Sequence, residues 1–408
     1  MQNYITGLLM DGKRKSMEPM AARLVKEPAD REAMRQRLQH FITDGGWDDE
    51  QVRKPLALLL EAELDDISAF AIDDTGFEKK GENSVGVARQ YSGTLGRVGN
   101  CQVATSLHLI SEANSAGIGM RLYLPKAWAD DGERRKKVGV PKEIEFQPKW
   151  KLGLDLLDKA LEWGVSKRPV LFDAGYGDCF EFRKGLDERG LPYVGGISET
   201  TLVWRPGEEP SQASKDDAEA DGRNSSDERK KTKPVSALQL ARERGKRKLH
   251  TVTWRQGSKG PQKSRFGFVR IHTAHGYKNR EVPGQEQWLL YEWPDGEDKP
   301  TKFWLSTLSA NSSKRKLVRM AKVRWRIERD YQDMKQEVGL NHFEGRKWRG
   351  FHHHVTLCMA AHAFLALNRA FSPHKPPRTE GPKNSDLASL EATNSSGSIA
   401  LGGHMPIV

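Results

Sequence analysis

Residues 68–74 read SAFAIDD and residues 168–178 read RPVLFDAGYGD, two segments in which a short apolar run stops on an acid. Both runs have the length and composition of buried strands. In open α/β sheets, reactive groups gather beyond the carboxyl ends of strands. Asp73, Asp74 and Asp173 therefore stand where chemistry is expected. If the two strands are neighbours, Asp73 and Asp173 face each other across the sheet end. Two carboxylates in one small site repel unless a cation lies between them, and Mg²⁺ prefers such hard oxygen ligands. A strand-end aspartate can equally cap the next turn, so neither residue decides the matter alone.

Outward from these runs the pattern continues. QVATSLHLI (102–110) alternates Val103, Thr105, Leu107 and Leu109 on one face, and GIGMRLYLP (117–125) reads as a third strand. WKLGLDLLDKALEWG (150–164) is an amphipathic helix with Leu152, Leu156, Leu157, Ala160 and Trp163 on its apolar side. GLPYVGGIS (190–198) is a fifth strand. The order β-β-β-α-β-α-β predicts an α/β region over 66–200, a mixed sheet with helices on its faces.

Residues 1–65 precede it as a helical N-terminal region. There Met20, Ala21, Leu24 and then Met34, Leu38, Phe41, Ile42 recur at helical spacing. It is a candidate for DNA binding or for packing alone. Residues 201–312 read as a β-rich insertion, from LHTVTWRQ, RFGFVRIHTA, EQWLLYEW and KFWLSTL. Its charged stretch at 205–234, free of aromatics, predicts a flexible loop. Helices resume over 313–371, and the Ser-, Gly- and Pro-rich tail 372–408 is expected to be disordered.

The balance of 66 Lys+Arg against 55 Asp+Glu leaves +11, which suits a polyanionic partner such as DNA. Three cysteines without a CxxC pair argue against a zinc site and a disulfide framework, and fit a reducing cytoplasm. The longest apolar run, Val355–Leu367, is too short for a membrane span, so no membrane role is expected.

A third acid emerges from VRWRIERDYQDMKQEVGL (323–340). On a helix, Met320, Val323, Ile327, Met334 and Val338 form one apolar stripe, and Arg324, Glu328 and Lys335 form a second beside it. That flank sits at the margin of a buried interface, where a carboxylate can reach a sheet end. The competing reading is an ordinary exposed i,i+4 Arg–Glu pair. Consecutive His352, His353 and His354 cannot all face one ion, so they are not read as ligands. The basic clusters Arg229–Lys233 and Arg242–Lys248, and Trp254, Trp288, Trp293 and Trp304, are read first as solvated charge and strand packing.

IDDTGF, KKG, SVGVARQYSGTLG and NCQVATSLHL, in that order, resemble the first catalytic block of bacterial insertion-sequence transposases of the DDE type, in particular the group numbered 701. LFDAGYGD resembles their second block. Arg324, Glu328 and Lys335 match the Arg, Glu and Lys of the Tyr-Arg-Glu-Lys signature; the Tyr position is Ala321, and Tyr331 is the aromatic that could stand in for it. The resemblance runs from about residue 4 to 370 and implies an RNase H-like fold. Asp173 lies 100 residues after Asp73, and Glu328 a further 155 on. That second interval exceeds a minimal core, and the insertion accounts for the excess.

The resemblance implies metal-dependent DNA cleavage and strand transfer by an insertion-sequence transposase. Asp73, Asp173 and Glu328 would hold two Mg²⁺ ions, with Mn²⁺ as a substitute, and Asp74 is the alternative to Asp73. Arg324 and Lys335 would position phosphates, and Tyr331 would contact DNA. Two protomers would act together, one on each element end, and the location would be the cytoplasm, at the nucleoid. The alternatives are an RNase H-like nuclease without strand transfer, and a decayed transposase that only binds DNA.

Overall fold

The computed structural model describes residues 1–208, 233–257, 260–276 and 284–371. The loop expected to be flexible, except for its two ends, and the tail from Ser372 lie outside the described residues.

β1 (Ala69–Glu78) is the pivot of the sheet. β3 (Arg97–Ile110) runs antiparallel along it, and β2 (Ala88–Ser92) and β4 (Ser115–Leu122) pair with successive halves of β3. On the other side of β1, β5 (Val170–Phe172) and then β6 (Tyr193–Ile197) join in parallel. Strand order β4-β3-β1-β5-β6, antiparallel on one side of β1 and parallel on the other, is the RNase H-like arrangement.

Two differences from the sequence reading concern this part. β1 does not stop at the acids but carries Asp73 and Asp74 in its middle. The glycine-rich stretch after it contributes β2, closed onto β3 by a turn in which Gly96 has φ +63°. Charged residues inside a strand look like its end when only hydrophobicity is read.

The strands of the insertion do not stand apart. β12 (Lys302–Ser306) pairs antiparallel with β6, and β11 (Gln287–Glu292), β10 (Gly260–Ile271) and β9 (His250–Gly257) follow outward. The described residues thus form one ten-stranded sheet, beside a two-stranded piece of β7 (Leu202–Val203) and β8 (Val235–Ser236).

Helices cover both faces, and alternation along β1 sorts the core. The N-terminal helices are α1 (Gln2–Leu9), α2 (Met17–Leu24), α3 (Arg31–Thr43) and α4 (Glu50–Glu63); α5 (Lys126–Ala129) and α6 (Gly132–Val138) follow β4. α7 (Lys149–Glu162), α8 (Ala174–Gly177) and α9 (Phe180–Glu188) flank β5, and α10 (Ala237–Arg244) follows β8. α11 (Lys314–Val323), α12 (Trp325–Gln336) and α13 (Trp348–Phe371) complete the set. Phe70 and Ile72 pack with Leu156 and Leu157 of α7, Phe182 of α9 and Leu60 of α4. Ala69 and Ala71 face the opposite layer, with Ile327 and Met334 of α12, Met359 of α13, and Tyr4, Met20 and Ile42 of α1–α3.

The N-terminal helices share that layer with α13. Tyr4 Oη lies 2.8 Å from His354 Nδ1, and His353 Nδ1 and Nε2 lie 2.8 and 3.0 Å from the carbonyl oxygens of Ile42 and Trp47. Burial pushes His352 down to about 3 and His354 to about 4. All three histidines are consumed in packing.

Candidate active site

Asp73 and Asp74 leave β1 on opposite faces, and each meets the hydroxyl residue opposite it in register, Ser106 and Thr105 respectively. Asp74 is fully engaged. Its Oδ1 accepts from Tyr176 Oη at 2.5 Å and from Thr105 Oγ1 at 3.0 Å, and its Oδ2 pairs with Lys149 Nζ at 2.5 Å. Asp73 accepts from the backbone N–H of Asp74 at 2.8 Å and from Arg324 Nη1 at 2.6 Å.

β5 pairs with β1 through Phe70↔Val170 and Ala71↔Leu171. Two residues further in the same register bring Asp73 beside Asp173, just past the end of β5. The strands are neighbours, as the facing of the two acids required. Asp173 also caps α8, its Oδ1 accepting from the N–H of Gly175 at 2.9 Å and of Tyr176 at 3.4 Å. Among the described residues the cap uses Oδ1 alone, so the capping and metal-binding readings of this residue are compatible. Gly177 of LFDAGYGD has a packing cause: a Cβ there would collide with the carbonyl oxygen of Gly196 on β6.

The helix bearing the third acid is interrupted. α11 ends at Val323, α12 begins at Trp325, and Arg324 sits at the joint. The apolar stripe of Met320, Val323, Ile327, Met334 and Val338 is buried along its whole length. Arg324 reaches over the sheet end and binds Asp73, while its Nη2 donates to Glu328 Oε1 at 3.0 Å. Glu328 is 63% exposed, and among the described residues that ion pair is what holds its side chain. Lys335 reaches the later part of β1 instead, donating to the carbonyl of Gly76 at 3.0 Å and to Thr94 Oγ1 at 3.3 Å. Tyr331 is buried, its hydroxyl 2.6 Å from Ser106 Oγ, and lies under the acids rather than at the surface. Ala321 stays partly buried on α11.

Burial and the neighbouring charge of Asp173 push Asp73 up to about 7, against the opposing pull of Arg324. Burial would lower Arg324, but the carboxylates of Asp73, Asp173 and Glu328 together raise it. One guanidinium is thus shared among three acids. The donor set consists of hard carboxylate oxygens, and burial beside Asp173 disfavours a bare charge on Asp73 even with Arg324 in contact. Both features fit a divalent cation of the Mg²⁺ type. Among the described residues no three acid, His or Cys side chains already converge as a cage. Asp73 and Asp173 adjoin by strand register, and Glu328 is tied to Asp73 through Arg324.

Two cavities open at the acids, and Asp173 lines both. One, of about 420 Å³, lies toward the insertion strands and is walled by Trp254, Trp304, Trp325, Arg324 and Glu328. The other, of about 430 Å³, lies over α7 and is walled by Asp73, Asp74, Tyr91, Phe146 and Lys149.

Lys149, Thr105, Tyr176 and Ser106 were not singled out from the sequence. Tyr176 follows Asp173 by three residues inside the motif and could have been noticed. Ser106 and Thr105 need the β1–β3 register, which no local pattern supplies.

The model of the DDE superfamily endonuclease family matches residues 1–261. The chain belongs to that family. Among curated relatives of this DDE endonuclease chain, it is 30% identical over 199 residues to a probable transposase for insertion sequence element IS701 from Microchaete diplosiphon, 48% of each chain. The match therefore spans about half the length of that relative. Among solved structures it is similar to a piggyBac transposase synaptic complex with hairpin DNA, at 12% identity and TM-score 0.35, over 95% of this chain and 77% of that one. A second is the NurA nuclease from Sulfolobus solfataricus, at 11% identity and TM-score 0.27, over 72% and 85%. At these scores the fold assignment rests on strand order alone. Among the described residues of this family member, no helix is long and apolar enough to cross a membrane.

Proposed function

We propose that this DDE endonuclease family member is an insertion-sequence transposase that cleaves DNA at element ends and joins the freed 3′-OH to target DNA. The observation that carries the reading is the pairing of Asp73 with Asp173 by strand register, with Arg324 linking Asp73 to Glu328.

Asp73, Asp173 and Glu328 would hold two divalent ions, which supply activation of the attacking oxygen and stabilisation of the leaving oxygen. The chain's own side chains do the rest. The β1–β5 pairing fixes the relative positions of the two aspartates, and Asp173 is further held by its cap on α8. Arg324 balances the carboxylates and, once they are otherwise neutralised, is free to take a phosphate oxygen. The cavities on either side give a single strand room to pass over the acids, and Lys149 offers a second cation at the α7 side. Strand transfer by two cooperating protomers extends the same reading.

The test is incubation of purified protein with DNA carrying its element ends, with Mg²⁺ or Mn²⁺ and with a target plasmid. Metal-dependent nicking together with joined products is the expected result. Cutting that survives thorough chelation overturns the metal assignment, and cutting without joining reduces the protein to a nuclease.

A further inference from the structure

Beneath the acids, on the face of the sheet that carries Asp73, four buried polar side chains form an unbroken chain. Tyr331 Oη lies 2.6 Å from Ser106 Oγ, Ser106 Oγ lies 3.0 Å from His108 Nε2, and His108 Nδ1 lies 2.7 Å from Asp330 Oδ2. Ser115 Oγ donates to the other oxygen of Asp330 at 2.6 Å. Ser106 and His108 are 0% exposed, Asp330 3% and Tyr331 8%.

With the ring proton of His108 on Nδ1, Tyr331 donates to Ser106, Ser106 to Nε2, and Nδ1 to the Asp330 carboxylate, so each donor finds an acceptor. Such directional bonds restrict spacing more than an apolar contact, which tolerates small slides.

Both ends of the chain lie on α12 and its middle lies on β3, which explains what it fixes. Ser106 is the register partner of Asp73, so their side chains emerge together on one face. Tyr331 and Asp330 lie on α12, the helix of Glu328, with Arg324 just ahead of its first residue. The helix carrying one acid is thus hydrogen-bonded to the strand position beside another. α12 begins beyond the interruption at Arg324, and these hydrogen bonds tie it directly to β3. Ångström-scale misplacement of reacting groups is enough to cost orders of magnitude in rate.

We propose that Ser106, His108, Asp330 and Tyr331 are positioning residues that set the distance between Glu328 and the Asp73–Asp173 pair, and hence the affinity of the site for divalent metal. The inference rests on the reading of these three acids as metal ligands.

The experiment uses the full chain with Tyr331→Phe and Ser106→Ala, which remove one oxygen each, and Asp330→Asn as the stronger change. Mn²⁺ binding is followed by electron paramagnetic resonance, alongside cleavage rate against Mg²⁺ concentration, DNA affinity and thermal melting. In each variant the Mn²⁺ dissociation constant and the Mg²⁺ concentration for half-maximal cleavage rise about threefold or more, high Mn²⁺ restores much of the rate, and DNA affinity stays within about twofold. Metal binding and midpoint equal to wild type in Tyr331→Phe and Ser106→Ala overturn the inference while leaving the transposase reading intact. Loss of rate that saturating Mn²⁺ does not restore, with metal binding unchanged, also overturns it. A wild-type protein that binds no Mn²⁺ at the acids removes both together.

Discussion

Asp73 and Asp74 are consecutive, yet they belong to different layers of the molecule. Asp73 points toward α12, where Arg324 meets it, and Asp74 points toward α7, where Lys149, Tyr176 and Thr105 use both its oxygens. The pleat of β1 alone separates a buried carboxylate that meets Arg324 beside Asp173 from one that is tied into the framework. The proposed function takes Asp73 as the reactive acid and its neighbour as a brace.

Alanine at Asp73, Asp173 or Glu328 is expected to abolish cleavage while end-DNA binding and folding persist, since affinity comes from distributed phosphate contacts. Asp74→Ala behaves differently. It leaves Tyr176 and Lys149 short of an acceptor and costs about 1–3 kcal/mol of stability, with residual cleavage. Urea melts and a single-turnover cleavage assay on the four variants decide it. A silent Asp74→Ala that folds normally, beside an active Asp73→Ala, reverses the assignment.

The raised Asp73 predicts a pH signature in the metal-free protein. A carboxyl whose pKa climbs from 3.8 to about 7 on folding holds its proton more tightly in the native state. Stability from this group is therefore fully present at low pH and is lost as pH rises between those values. Asp73→Asn carries no such loss. Relative to wild type in EDTA, its stability should gain between pH 4 and pH 8, by at most about 4 kcal/mol, and adding Mg²⁺ at pH 8 should close the gap by stabilising wild type only. Parallel wild-type and variant curves across this range would contradict the assignment.

Lys335 is pushed down to about 8 by burial. Its cation is present below that pH and lost above it. Lys335→Met should slow cleavage without erasing it. The wild-type rate should decline through about pH 8 in a way the variant lacks, if the charge assists phosphate placement. A wild-type profile flat across this range assigns Lys335 to bracing β1 through Gly76 and Thr94.

The net charge of +11 predicts DNA affinity that falls steeply with salt, through release of counterions from phosphates. Fluorescence anisotropy between about 50 and 200 mM salt should show a drop of at least tenfold. A flat line would mean that the excess charge is solvated surface.

Much of the arrangement was legible because strands and helices announce themselves by period. Five of the six core strands, the four insertion strands and the stripe through Met320–Val338 all follow from local pattern, while β2 lay hidden in a glycine-rich stretch. Facing of Asp73 and Asp173 followed from one further assumption, that their strands adjoin. The rest depends on partners distant in sequence. No local pattern tells that β12 docks on β6, that Ser106 stands opposite Asp73, or that Lys149 completes Asp74. The break at Arg324 was hidden for a different reason: the apolar stripe passes through it uninterrupted, because packing rather than helix continuity sets that spacing.

The burial of Tyr4 against His354 has a bearing on when activity can begin. The first helices pack in part on a helix made near the end of the described residues, and Arg324 and Glu328 precede it in sequence. During synthesis, a growing polypeptide that has already formed β1 and β5 still lacks the third acid, the guanidinium and the layer covering that face. Such an intermediate holds two aspartates and no working centre. Under the proposed function, competence to cut DNA would be deferred until α12 and α13 have been made, a timing imposed by the order of elements along the sequence.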